Sequence, residues 1–286
     1  NQKLTKYAWL LPFFSGICWG AAGIFVRTLE HDGLDNFSII SFRMLLAALI
    51  TGIWILFYNR HLFMYIGVTS GFYRNRHDRH DRPQWSFKYF RYEGSLALSA
   101  VLLAMSPVFV LFLAAIFFHE PITRHKLTGV TLALIGCVLV SGVLESNGLS
   151  WSITGILCGI LASFFYAVYG IISKKVTQKG YHFLTITFYG TLFSGMTMLP
   201  FSNIHSLSSM TVSGQRTTFF ILIIHALVSS VLPYALYSLS MRYMEAGKAS
   251  ILASSEPAAA CYSERYSMPK HQVFFPSVDF VLQLLL

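Results

Sequence analysis

An arginine within an apolar run is the first feature of this sequence that could support chemistry. Arg43 lies in Ser41-Phe42-Arg43-Met44, near the start of the apolar residues 37–58. If that run crosses a membrane, a cationic side chain inside it costs about 2.5–3.5 kcal/mol unless it faces protein or water. We interpret Arg43 as a cavity residue that pairs with an anionic or zwitterionic solute. The alternatives are a side chain that reaches to the membrane surface or a structural ion pair.

A carboxylate next to a proline is the second such feature. Glu256 precedes Pro257 in an apolar stretch. Because proline removes a backbone hydrogen bond, it frees a carbonyl that can face a cavity. A carboxylate there could hold a proton or bind an amine; the alternative is a kink whose acid is satisfied by its neighbours. Helix kinks are predicted at Pro107, Pro233 and Pro257.

Aromatic side chains with polar tips form a third set. They suit the lining of a cavity for organic solutes, although each could equally be a packing residue or an interface anchor. The candidates are Trp19, Tyr166, Tyr169, Tyr189, Tyr234 and Tyr237.

Enzyme motifs fail on inspection. His119-Glu120 begins like the H-E-x-x-H zinc motif, but the fifth residue is Thr123 and Pro121 interrupts the helix that must present both ligands. Glu120 is expected to be a turn residue. The His77 to Asp81 group resembles a metal cluster but is flanked by arginines. No glycine-rich phosphate loop is present, so ATP-driven pumping is disfavoured. We expect no enzyme activity, no metal and no cofactor.

The composition indicates which elements must position these residues. Of 286 residues, 55% are hydrophobic and only 12% are charged, against about 25% charged in soluble domains. Several apolar runs reach the roughly 20 residues that a membrane-spanning helix needs. The chain is therefore an all-α polytopic membrane protein. The net charge of +9 fits basic loops rather than nucleic-acid binding.

Short polar connectors separate the apolar segments. Lys3 and Lys6 precede the first segment, which we interpret as a membrane helix rather than a signal peptide. Gly16-x-x-x-Gly20 and Gly155-x-x-x-Gly159 predict close helix approach. The segments are residues 7–26, 37–58, 95–118, 127–144, 153–172, 183–201 and 217–239, and an eighth begins near Ala249.

The chain carries an internal duplication. Its clearest trace is the stretch around Pro107, which matches the stretch around Pro257. Residues 19–24 resemble residues 166–171, and residues 41–43 resemble residues 187–189, all at nearly constant spacing. Such a repeat is typical of transporters built from two homologous halves.

Loop charges predict the orientation. Basic residues follow alternate helices, whereas the loops around residues 30–35 and 145–148 hold no Lys or Arg. The positive-inside rule then places the N-terminus in the cytoplasm if each half has five helices. An odd number of helices per half inverts the second repeat.

Two stretches break the pattern. The third helix of the first half should lie at about residues 62–89, but residues 74–91 carry six basic and two acidic side chains. After Ala260 the sequence holds charges and prolines but no spanning run. We hypothesise reading-frame shifts in both stretches; the alternative is genuine divergence, with residues 74–91 forming a solvated basic loop.

These motifs resemble the EamA-like branch of the drug/metabolite transporter superfamily. The most specific stretches are residues 95–142 and 233–260, including Pro107, His119-Glu120-Pro121 and Glu256-Pro257. The resemblance covers residues 7–62 and 95–260. It implies ten helices and a central cavity lined by the first four helices of each repeat, and Arg43 suits the family's recurrent arginine.

The resulting prediction is a secondary transporter of two inverted five-helix repeats. These are residues 1–145 and residues 146–286, the second degraded after 260. The carrier would move a small organic metabolite or drug across the cell membrane by alternating access, and efflux is one direction. The expected partners are the lipid bilayer and a small-molecule substrate, with a homodimer as one option. The alternative is a non-transporting remnant of such a carrier, or a scaffold.

Overall fold

A computed structural model gives the fold, and it describes residues 6–64, 102–140, 153–203 and 216–267. These residues form helices and turns, with no strand among them. Residues 65–101 and 268–286 lie outside the described part, and so do most of the predicted third helix, the His77–Asp81 group and the final predicted helix. The first half contributes α1 Leu10–Gly20, α2 Ala22–His31, α3 Asn36–Asn59, α4 Ser106–Phe118 and α5 Arg124–Val140. The second half contributes α6 Ile153–Gln178, α7 Phe183–Met198, α8 Arg216–Ala226, α9 Leu232–Ser240, α10 Ala246–Ala253 and α11 Glu256–Ser267.

The helices coincide with the apolar segments of the sequence. Within the described ranges, four helical stretches are long and apolar enough to cross a membrane, namely Leu10–His31, Asn36–Phe63, Gly159–Gln178 and Thr217–Ser240. Large apolar side chains such as Phe57, Leu132 and Ile116 lie exposed on the outer surface. A surface of this kind suits contact with lipid rather than water.

Three of these helices have a proline as their second residue. Pro107 and Pro257 are the second residues of α4 and α11, which follow short breaks at Ala104–Met105 and Ser254–Ser255. Pro233 is the second residue of α9, directly after a π-helical turn at Leu227–Val231. Proline is tolerated in the first turn of a helix because the N–H that it lacks would have no partner there.

The helix that contains Pro257 continues beyond the point where the sequence pattern breaks. Helix α11 extends through Ser267, seven residues past Ala260. Helix α11 packs on α1 and α2, and tertiary contact of this kind stabilises a helix whose sequence lacks apolar periodicity.

A glycine pair allows the closest of these contacts. A Cβ on Gly16 would collide with the Ser255 hydroxyl and the Ala253 carbonyl. A Cβ on Gly20 would lie 2.6 Å from the Ala259 Cβ. The close approach predicted from Gly16-x-x-x-Gly20 is thus confirmed, and it brings α1 against the break before α11. The Ser255 hydroxyl donates to the Phe13 carbonyl at 2.9 Å across the same contact.

Candidate functional site

An aromatic cluster lies where α1, α6 and α9 meet. The Trp19 ring centroid lies 5.7 Å from that of Tyr166, 5.4 Å from that of Tyr234 and 5.5 Å from that of Tyr237. Tyr169 completes the cluster, with its ring centroid 5.5 Å from that of Tyr234. Most of these pairs have edge-to-face geometry, which the ring quadrupoles favour.

Helical spacing explains why these rings converge. Tyr166 and Tyr169 are three residues apart on α6, as are Tyr234 and Tyr237 on α9, so each pair shares one face of its helix. Ser15 of α1 donates to the Pro233 carbonyl at 2.9 Å and fixes α1 against α9. Trp19 lies one turn further along the same face of α1. Tyr237 is fully buried at the centre of the cluster.

Glu256 lies at one side of the aromatic cluster, near the helix breaks that precede α4 and α11. A cavity of about 120 Å³ there is lined by Ser106, Tyr166, Ser250, Glu256 and Pro257. Organic ligands usually occupy pockets of about 300–1,000 Å³. The cavity as it stands is therefore smaller than a pocket for a drug-sized ligand.

Arg43 lies at the other side of the cluster. Its Nη1 is 3.4 Å from the Nε2 of His225, and the His225 ring stacks on Phe25 with 5.2 Å between centroids. Tyr234 lies within electrostatic range of both Arg43 and Glu256. The cation and the carboxylate predicted from the sequence thus flank the same aromatic cluster.

Tyr189 is placed apart from the other candidates. Its hydroxyl donates to the Phe63 carbonyl at 3.0 Å, and its ring packs edge-on against Phe188 at 5.0 Å.

The site also contains a residue that the sequence did not single out. His225 interrupts the apolar run 217–239 in the way that Arg43 interrupts 37–58, and this was the signal that could have found it.

A charged cluster, formed by Glu120, Lys126, Glu245 and Lys248, connects the two halves at one end of the bundle. The Glu120 carboxylate accepts the backbone N–H groups of Ala246 and Gly247 at 2.9 and 3.3 Å, and so caps the start of α10. The Lys126 side chain is only 3% exposed, and its Nζ lies 3.0 Å from Glu245 Oε2. Glu120 was expected to be only a turn residue, but its hydrogen bonds to Ala246 and Gly247 connect the first half of the chain to the second.

The ionisation of Glu245 follows from these neighbours. Burial by itself would raise the pKa of the Glu245 carboxyl, but hydrogen bonds from Lys126 and Lys248, together with their charges, lower the pKa below its ordinary value. Glu245 is therefore held as a carboxylate.

A larger apolar groove of about 800 Å³ lies between α1 and α11. Phe13 and Ile17 line it, whereas Ser15 and Trp19 lie on the opposite face of α1, since residues turn by about 100° each. It has no charged lining residue, and we assign it no role in solute binding.

Fold and site together define a multi-pass helical membrane protein. The model of the EamA-like transporter family matches residues 6–142 and 153–263. The chain therefore belongs to the EamA-like transporter family, and the resemblance to the drug/metabolite transporter superfamily is confirmed.

Two relatives named as transporters agree with this assignment, and one solved structure shares the fold. The chain is 30% identical over 107 residues to an uncharacterized transporter of Archaeoglobus fulgidus, covering 37% of each chain. It is 28% identical over 165 residues to another from that organism, covering 58% of this chain and 56% of the relative. The chain thus aligns with less than two thirds of either relative. A solved crystal structure superposes with a TM-score of 0.74 over 98% of this chain and 94% of the other, at 10% identity, which is a likeness in fold.

Proposed function

We propose that this chain is a secondary carrier that moves a small organic metabolite or drug by alternating access. The observation that carries the proposal is the joint position of Arg43 and Glu256, which come from opposite halves of the chain and flank one aromatic cluster. A half-buried cation, a carboxylate and several aromatic faces around one cluster suit an organic solute with a charged group. Arg43 would pair with an anionic or zwitterionic solute, and Glu256 is the candidate coupling group.

The packing of the helices supports two inverted repeats, residues 1–145 and 146–286. Helix α1 of the first half packs on α11, and α6 of the second half packs on α4. The first helix of each half thus contacts the proline helix of the other. The duplication aligns Gly16 with Ser163, and both residues contact a backbone carbonyl just before the break that precedes a proline helix. Gly16 lies against the Ala253 carbonyl before α11. The Ser163 hydroxyl donates a hydrogen bond to the Leu102 carbonyl before α4. Reciprocal contacts of this kind suit two halves that rock about a shared centre.

The small cavity supports a mechanism in which access alternates. Solute entry requires α4 or α11 to move at the break before its proline, because the 120 Å³ cavity lies between those breaks. Helix breaks absorb such changes at little cost, since shorter i→i−3 hydrogen bonds already replace the regular α-helical ones there. The motion would open the aromatic cluster to one side of the membrane at a time.

The basic loops support a cell-membrane protein with a cytoplasmic N-terminus. Arg60 follows α3, Arg124 and Lys126 follow α4, and Lys175 and Lys179 lie at the end of α6. The positive-inside rule assigns these ends to the cytoplasm. The charged cluster of Glu120, Lys126, Glu245 and Lys248 would then close the cytoplasmic end of the bundle.

The experiment is a transport assay with the full chain in lipid vesicles. A panel of labelled organic anions, zwitterions and cations is offered, and the initial rate of uptake is compared with that of empty vesicles. We expect uptake of at least one anion or zwitterion, and its loss in Arg43→Ala. Arg60→Ala is the matched control, because Arg60 is exposed at the end of the same helix. No uptake by the wild-type chain across the panel would contradict the proposal and favour the non-transporting alternative.

A further inference from the structure

A second contact between the halves lies at the end of the bundle opposite the charged cluster. The hydroxyl of Thr218, in α8, donates to Asp32 Oδ2, just after α2, at 2.6 Å. Thr218 is near the start of the spanning stretch Thr217–Ser240, whereas Glu245 of the charged cluster follows the end of that stretch. The two contacts therefore join the halves at opposite ends of the molecule.

Helices α2 and α8 meet at three successive levels between this end and the aromatic cluster. The residues of each helix are spaced by three and four positions, so they share one face of that helix. The outer level is a hydrogen bond, the middle level is an apolar cluster and the inner level is a ring stack. From the end inward, these levels are Asp32–Thr218, Leu29–Leu222 and Phe25–His225.

The middle level is an apolar plug, formed where α2, α3 and α8 converge. None of its members is more than 7% exposed, and they are Leu29, Leu34, Ile39, Phe42 and Leu222. An apolar constriction of this kind stops water and polar solutes. Arg43 directly follows Phe42 on α3 and contacts His225 at 3.4 Å. The direct route from this end of the bundle to Arg43 thus passes through the plug.

The backbone allows α8 to move relative to α9. Helix α8 ends at Ala226, the π-helical turn at Leu227–Val231 follows, and Pro233 lies in the first turn of α9. A π-helical turn interrupts the regular hydrogen bonds of an α-helix and is frequent at functional sites. On the side away from the plug, α8 has the exposed residues Phe219 and Phe220, which suit contact with lipid. A pivot of α8 would therefore displace lipid on that side.

We propose that α8 is a gate helix that controls access to Arg43 from this end of the bundle. When the gate opens, α8 pivots at the π-helical turn, the Asp32–Thr218 hydrogen bond breaks and the apolar plug separates. The gate rests on the function proposed above and adds the element that moves on the Arg43 side of the aromatic cluster. The breaks before α4 and α11 border its Glu256 side.

A thiol at position 230 can report on the gate. Ser230 is 0% exposed, and its hydroxyl has no hydrogen-bond partner within the described ranges, so Ser230→Cys removes no known contact. It lies four residues before Tyr234, on the helix face that carries the aromatic cluster. The full chain, with its four natural cysteines replaced by alanine, is placed in sealed vesicles of both orientations. The rate of thiol modification by a charged, membrane-impermeant methanethiosulfonate reagent is measured from each face.

Two neighbouring threonines give a matched pair of variants on this reporter. Thr218→Val removes the buried hydroxyl but keeps the side-chain shape, whereas Thr217→Val makes the same change at an exposed position. Because modification follows the population of the open gate, Thr218→Val should raise its rate by at least about tenfold from one face, which corresponds to the loss of one hydrogen bond to a charged group. Thr217→Val should leave the rate unchanged. Asp32→Asn keeps an acceptor without the charge, should give a smaller rise, and covers the case in which Thr218→Val fails to fold.

A variant at the opposite end separates gate opening from general loosening. Lys126→Met disturbs the charged cluster and should not raise modification from the face at which Thr218→Val acts. Equal modification rates in Thr218→Val and Thr217→Val, or an equal rise in Lys126→Met from the same face, overturn the gate.

The modification assay needs no solute, so it separates the gate from the proposed function. If Thr218→Val selectively raises modification but vesicles take up none of the panel, the transport function fails while the moving helix stands. If vesicles take up a solute and Thr218→Val matches Thr217→Val in both uptake and modification, transport stands while the gate fails.

Discussion

Replacing Lys126 by methionine should destabilise the protein far more than the same replacement of Lys248. Both ammonium groups contact the Glu245 carboxylate, at 3.0 Å for Lys126 and 3.2 Å for Lys248. Their environments differ, because the Lys126 side chain is 3% exposed and the Lys248 side chain is 59% exposed. The two variants therefore compare the same substitution at a buried lysine and at an exposed lysine.

The magnitude follows from the contacts that each lysine makes. Lys126 Nζ also donates to the Pro121 carbonyl at 2.9 Å and lies 3.7 Å from Glu120, whose side chain is 9% exposed. Removing the buried cation takes away the positive charge 3.7 Å from Glu120, and breaking a buried ion pair costs about 3–5 kcal/mol. Lys248 forms an exposed i,i+3 pair, and such pairs contribute about 0.2–1 kcal/mol.

The assay is unfolding of the purified protein in mild detergent, followed by tryptophan fluorescence during SDS titration. We expect Lys126→Met to lower the free energy of unfolding by about 3 kcal/mol and Lys248→Met by less than about 1 kcal/mol. Equal effects of the two substitutions, or a negligible effect of Lys126→Met, would refute the view that the charged cluster is a buried connection between the halves.

Two further predictions concern the contact between the halves. Gly20→Val should lower the melting temperature, because any Cβ there would collide with the Glu256 carbonyl and overpacking costs about 1–3 kcal/mol. Gly23→Val is the control, because a Cβ on Gly23 meets nothing within 4 Å. Equal decreases in melting temperature for the two variants would argue against the close contact at Gly20. The lowered pKa of Glu245 predicts that its stabilising contribution is complete above pH 4.5, the ordinary value, and is lost as pH falls further. The melting temperatures of wild type and Glu245→Gln should therefore converge in acid, and a constant difference between them would contradict the assignment.

Local patterns in the sequence were sufficient to predict the helices and most of the candidate site. Apolar runs reflect the solvent around each helix and proline acts on the local backbone, so these features predicted the helices and the irregular backbone near Pro107 and Pro257, although kinks were expected there and the structure has helix starts. Trp19, Tyr166, Tyr169 and Tyr237 were each selected as cavity candidates for their side-chain type, and the three-residue spacing within each tyrosine pair is what makes their rings converge.

The remaining features depend on contacts between distant parts of the chain. Glu120 bonds the backbone of Ala246 and Gly247, and no local pattern indicates that an end-of-helix acid will reach a helix start in the other half. Tyr189 shows the opposite case, because its type suits a cavity while its hydroxyl satisfies the Phe63 carbonyl. His225 could have been selected by the rule applied to Arg43, but its role depends on how α8 packs against α3.

If the aromatic cluster between Arg43 and Glu256 binds the solute that the protein carries across the membrane, loss of the Arg43 charge should stop transport. The most direct measurement is the initial rate of solute uptake into vesicles that contain equal amounts of folded Arg43→Ala or Arg60→Ala protein. We expect wild-type uptake for Arg60→Ala and no uptake above empty vesicles for Arg43→Ala. Equal uptake by the two variants would show that this centre does not bind the solute.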